Sequence, residues 1–135
     1  MEQVKLTFDQ LMDGWAQLDA SPTESGTVEM IVCRPETEKR ETVDTVEVNT
    51  TEGVVGDNWL ARGSSSTPDG SAHPEAQITL MNTKVVQLIA QDKSLWDLAG
   101  DQFFVDFDLS MENLPTGTKI QIGSDQSLCR PIFKN

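Results

Sequence analysis

FFVDFDL, residues 103–109, alternates without a break: Phe103, Val105, Phe107 and Leu109 fall in one set, Phe104, Asp106 and Asp108 in the other. Successive side chains of a β-strand point to opposite faces, so this period of two predicts a strand with one face on a core. Downstream, Ile120 and Ile122 repeat the period within residues 118–123, and Gly123-Ser124-Asp125 marks a turn. Leu128, Ile132 and Phe133 in the tail predict one more strand.

Upstream, residues 27–33 alternate with Val28, Met30 and Val32 on one face and Glu29, Ile31 and Cys33 on the other, predicting a first strand closed by Arg34-Pro35. The charged run PETEKRE forms a loop or hairpin tip, residues 42–48 resume as a strand with Val46 and Val48 facing together, and residues 50–56 turn through two glycines. A further strand is expected over residues 77–81. Asn82 then caps a helix over 83–91 whose buried face would be Val85, Leu88 and Ile89.

Near the start, Phe8, Leu11, Met12, Trp15 and Leu18 recur at helical spacing, and Thr7 with Gln10 makes a capping box, so residues 7–18 read as a helix despite Gly14. Short strands with two helices inserted predict one α+β domain over residues 1–135, predominantly β, built on a curled, mostly antiparallel sheet or partial barrel. Between Arg62 and Pro74 the polar run RGSSSTPDGSAHP is the longest loop, of the kind that often carries function or moves.

Twenty-two acidic against ten basic residues give a formal net charge of −12, which opposes binding to nucleic-acid phosphates and to anionic lipid. No apolar run approaches the roughly 20 residues needed to cross a bilayer, and MEQVKLTFDQ lacks the features of a signal peptide. The expected location is the cytoplasm, with Cys33 and Cys129 as free thiols.

Four separated motifs, in order, carry a family resemblance: GVVGDNW (53–59), SAHPEAQITLMN (71–82), Gly100-Asp101-Gln102 leading into the 103–109 strand, and Leu114-Pro115-Thr116-Gly117 leading into 118–123. Over about residues 26–123 the chain resembles the MOSC domain, the C-terminal module of molybdenum-cofactor sulfurases. The resemblance implies a β-barrel-like fold of the MOSC type and a ligand end beside the 53–59 turn. In the family a further strand follows the Ile-Gly turn and leads to a cysteine that carries sulfur or binds molybdenum. Cys129 comes too soon after Gly123 for that role and CRPIFKN departs from the pattern, while Cys33 lies elsewhere, so the role is not transferred. If the barrel is left open at this end, its edge favours pairing, and a homodimer is expected; the rival is closure within one chain by Phe8, Leu11, Met12 and Trp15.

Asp57 and Asn58, after two glycines, present a carboxylate and an amide to a ligand or else bond their own turn. Arg62, at the base of the polar loop, has the planar fork that binds phosphate or carboxylate bidentately, or is a surface arginine. His73, the only histidine, lacks Cys, Asp or Glu at metal-ligand spacing and remains a ligand contact or an idle loop residue. Asp106 and Asp108 read as the solvent face of their strand.

These readings converge on a divergent, non-catalytic MOSC-like module that binds a small anionic or pterin-like ligand through Asp57, Asn58, Arg62 and His73. The resemblance implies molybdenum cofactor or a pterin as the ligand class. The alternatives are an interaction protein that dimerises through an open sheet edge and, third, a sulfur carrier for molybdenum cofactor.

Overall fold

A computed structural model describes residues 6–36, 38–123 and 131–134. The chain opens with helix α1 (Phe8–Ala16), started by the capping box: Gln10 N–H donates to Thr7 Oγ1 and Thr7 N–H to Gln10 Oε1. Strand β1 (Ser25–Cys33) follows, then β2 (Glu41–Val43), the short pair β3 (Val48–Asn49) and β4 (Gly53–Val54), and the one-turn helix α2 (Trp59–Arg62). After a 3₁₀ turn at Pro74–Ala76 come β5 (Leu80–Asn82), helix α3 (Thr83–Ala90), a 3₁₀ segment at Lys93–Ala99, β6 (Phe103–Asp106), β7 (Ile120–Ile122) and β8 (Pro131–Lys134).

Six strands form one sheet in the order β5-β6-β1-β8-β7, with β2 also on β1; β3 and β4 form a separate ribbon. β1 is long enough to serve three neighbours. It pairs with β6 along one side, and β8 and β2 share the other side end to end, at Ser25–Thr27 and Ile31–Cys33 respectively. The fold is mixed α+β, and its sheet is mostly antiparallel as expected, with β5–β6 the parallel exception. A parallel neighbour requires a crossover, which α3 and the following 3₁₀ segment supply. Among the described residues the outer strands β5 and β7 do not pair with each other, so no barrel closes there.

Both faces of the sheet are covered. Val28, Ile31, Phe103, Val105, Phe107 and Ile132 pack on one face with Val46 and Val54. On the other, Val32 and Phe104 meet Val86 and Ala90 of α3 and Trp96, whose ring stacks on Phe104 at 6.0 Å between centroids. The second layer explains why Phe104, expected opposite the core, is fully buried.

Strict alternation fails in β1, where the register with β6 shifts between Val28 and Met30. A bulge adds one residue and moves the later residues of the strand to the opposite face. Val28 therefore shares a core with Ile31, while Met30 and Val32 join the other.

The expected buried face of α3 is rotated. Val86 and Ala90 enter the core, Val85 and Leu88 are half-buried towards α1, and Ile89 is exposed. Asn82 caps the helix as expected, its Oδ1 accepting from Lys84 and Val85 N–H. The stripe of α1 lies against α3, with Gly14 pressed on the Leu88 side chain, and leaves Phe8, Met12 and Trp15 more than half exposed. Among the described residues no helix is long and apolar enough to cross a membrane.

Candidate functional site

The 53–59 turn owes its shape to its glycines. Gly56 has φ +93°, and Asp57 N–H donates to Val54 O at 3.1 Å, closing a tight turn that residues with a Cβ rarely adopt. The turn projects Asp57 inward onto the end of β1. Arg34 N–H and Nε both donate to Asp57 Oδ1, at 2.8 and 3.0 Å, while Arg34 Nη2 and Trp59 N–H donate to Oδ2, at 2.9 and 3.1 Å. Arg34 Nη1 reaches Gly100 O at 3.0 Å, and Arg34 O accepts from Asn58 N–H at 2.7 Å. The Asp57 side chain is fully buried and that of Arg34 nearly so. A bidentate pair of this kind ties three distant segments together: the end of β1, the glycine turn and the turn before β6.

Beside the pair lies a cleft of about 230 Å³. Arg34, Lys39, Arg40 and Arg62 line it, four of the ten basic residues of a strongly acidic chain, together with Asn58 and Gly100. Glu36 and Glu38 stand on the same rim, and Lys39 Nζ meets Glu36 at 2.9 Å with both side chains well exposed. Arg40 and Arg62 have no ion-pair partner among the described residues. Asn58 stands one helical turn before Arg62, whose N–H donates to Asn58 O at 2.8 Å. Its side chain makes no capping bond, and Oδ1 is buried with no donor among the described residues.

Two of the four expected site residues, Asn58 and Arg62, thus meet in one cleft. Asp57 lies directly behind it, with both oxygens occupied by Arg34 and Trp59, so it acts on the cleft through Arg34. His73 is placed elsewhere: its Nδ1 accepts from Glu75 N–H to start the 3₁₀ turn, and its carbonyl accepts from the Trp59 indole N–H at 3.2 Å. The polar loop between them is bound to itself, through Ser64 N–H to Gly70 O and Thr67 Oγ1 to Ser71 O. Sequence pattern alone places Arg34 at a strand end and Lys39 and Arg40 in a loop or hairpin tip, with no role in a site. Their signal was present in the sequence, because three of ten basic residues fall within seven positions.

Cys33, next to Arg34, is buried. Burial first, and then the negative charges of Asp57 and Glu41, push its thiol above the ordinary value, so it is a poor source of thiolate. Cys129 and Leu128 lie outside the described residues. A larger cavity, about 480 Å³, lies between α3 and the sheet, but its lysine, Lys84, is already bound to Asp106 and Ala20 O. Comparison with protein-family models, with characterised proteins and with solved structures finds no match to this chain.

Proposed function

We propose that this protein is a small-ligand-binding module whose cleft beside Arg34 takes an anionic group, a phosphate or a carboxylate. The observation that carries this reading is the convergence of Arg34, Lys39, Arg40 and Arg62 in a chain of net charge −12, with Arg40 and Arg62 free of ion-pair partners among the described residues. Unpaired like charges repel one another, and an anion relieves that repulsion while gaining charge-assisted hydrogen bonds. Arg34 is held rigid by Asp57, and Arg62 and Asn58 are carried on the same short helix, so part of the site is organised before ligand arrives.

The MOSC-like resemblance, with the pterin phosphate it implies, supports the same class of ligand. At about 230 Å³ the cleft is smaller than the roughly 300–1,000 Å³ of pockets that enclose a drug-sized molecule. It suits the phosphate end of a pterin cofactor, held by Arg40, Arg62 and Asn58, with the heterocycle at the mouth. The reading is one of binding without turnover, in a cytoplasmic protein. Cys33 is too deeply buried to accept sulfur, and the sulfur-carrier alternative rests on Cys129 alone.

The test is calorimetric titration of the full chain with inorganic phosphate at low salt. The double substitution Arg40→Ala with Arg62→Ala is expected to weaken binding at least about ten-fold, while His73→Ala, away from the cleft, leaves it unchanged. Equal affinity in the double variant and the parent overturns the assignment.

A second reading, an interaction protein that pairs with its own copy, is favoured by one observation. Phe8, Met12, Trp15 and Ile89 are each at least half exposed around an apolar groove between α1 and α3. Light scattering after size exclusion decides it, since Met12→Glu would dissociate a dimer formed there and leave a monomer unaffected.

A further inference from the structure

We infer that the basic cleft selects a protonated tetrahedral oxyanion, a hydrogen phosphate or a phosphate ester bearing one proton, over an oxyanion with no proton to give. The inference rests on the anion-binding reading and adds to it the chemical form of the anion. Its basis is Asn58. The guanidinium and ammonium groups of Arg34, Lys39, Arg40 and Arg62 are donors only. Glu36 and Glu38 on the rim are charged acceptors, Glu36 already paired with Lys39; among the described residues of this wall Asn58 is the one side chain that is both donor and neutral acceptor, and its Oδ1 is buried without a hydrogen bond.

A buried acceptor left unmet costs roughly 1–3 kcal/mol. Most such groups in folded proteins find a partner, so an orphan in the wall of a cleft indicates where a ligand hydrogen belongs. The terminal torsion of an asparagine is broad, so the amide of this lining residue can turn to offer Oδ1 to a ligand hydrogen. Inorganic phosphate carries at least one P–O–H group at neutral pH and satisfies both the cations and this acceptor. Sulfate is close in size and shape and fully deprotonated, so it satisfies the cations alone. The same chemistry reaches the site from two sources, free phosphate or a phosphorylated molecule. An ester loses its last proton around pH 6, whereas inorganic phosphate does not lose its last one there.

The experiment compares inorganic phosphate, sulfate and methyl phosphate as titrants of the full chain at low salt, at about pH 5.5 and pH 8. Phosphate is expected to bind at least about ten-fold tighter than sulfate at both pH values. In Asn58→Ala the two are expected to bind equally. The Asn58 side chain makes no capping bond and its Oδ1 has no partner among the described residues, so removing it costs the fold no hydrogen bond there and this variant should melt no lower than the parent. Methyl phosphate that follows phosphate at pH 5.5 and sulfate at pH 8 marks the acceptor as reading the proton itself. Methyl phosphate weaker than both at either pH marks free phosphate as the source. Sulfate binding as tightly as phosphate, or discrimination that survives Asn58→Ala, overturns the inference and leaves the anion site standing. Failure of all three titrants to bind overturns both.

Discussion

Arg34 and Asp57, 23 residues apart, form a buried bidentate ion pair in which the Asp57 carboxylate receives four hydrogen bonds: three from Arg34 and one from the Trp59 backbone. The pair fixes the floor of the basic cleft and clips the glycine turn to the end of β1. Its charges are matched, but each has been removed from water, so the arrangement is sensitive to loss of either partner.

Asp57→Asn should therefore destabilise the fold by about 3 kcal/mol, because it leaves the nearly buried Arg34 guanidinium without its counter-charge. Chemical denaturation of the variant checks the size. Phosphate affinity should fall with it, since Arg34 loses the contact that orients it.

Gly26→Ala should cost about 2 kcal/mol or more. A Cβ at Gly26 would run into the Asp106 carbonyl and approach Phe107 Cβ at 3.2 Å, where β1 is clamped between β6 and β8. The obstacle is backbone and cannot swing aside. Gly14→Ala is the control, because there the added methyl meets only the end of the flexible Leu88 side chain. Denaturant midpoints of the two variants against the parent give the comparison.

Asn82 has two separable duties. Its Oδ1 caps α3, and its Nδ2 donates to Phe107 O and Ser21 Oγ, each at 2.9 Å. Asn82→Ala should lose about 2 kcal/mol, and Asn82→Asp should recover the capping part, about 1 kcal/mol, but not the rest. Thermal melts of the two variants side by side give the division.

Half-buried Asp101 has its carboxyl pKa raised, chiefly by burial, with the Arg34 charge offsetting part of the effect. The folded state then holds this proton more tightly than the unfolded state does. Stability contributed by the group is present below the ordinary carboxylate pKa and lost as pH rises through the raised one. Asp101→Asn should melt above the parent at neutral pH and with it at about pH 3, where both side chains are uncharged. Asp69 and Asp92 act in the opposite sense. Hydrogen bonds from Ser71 and Ser94 hold their carboxyls low, so their contribution is lost as pH falls.

Local pattern was enough to determine α1 with its capping box, the strand at Phe103, the Asn82 cap and the strand around Ile132, because each is set by neighbours within one or two turns of chain. α2 was not legible, since four residues are too few to show a period. The face switch in β1 was equally hidden, because a bulge is created by the partner strand's register and not by β1's own residues.

The candidate site divides in the same way. Asn58 and Arg62 were identifiable as residues able to hold an anion, and their chemistry is intrinsic to the side chains. That Arg34, Lys39 and Arg40 join them, that Asp57 turns inward and that His73 serves the Trp59 indole are consequences of folding the end of β1 onto the glycine turn. Sequence specifies which side chains can bear charge or hydrogen bonds, but contacts across 23 or 66 residues form only when the core brings distant backbone together.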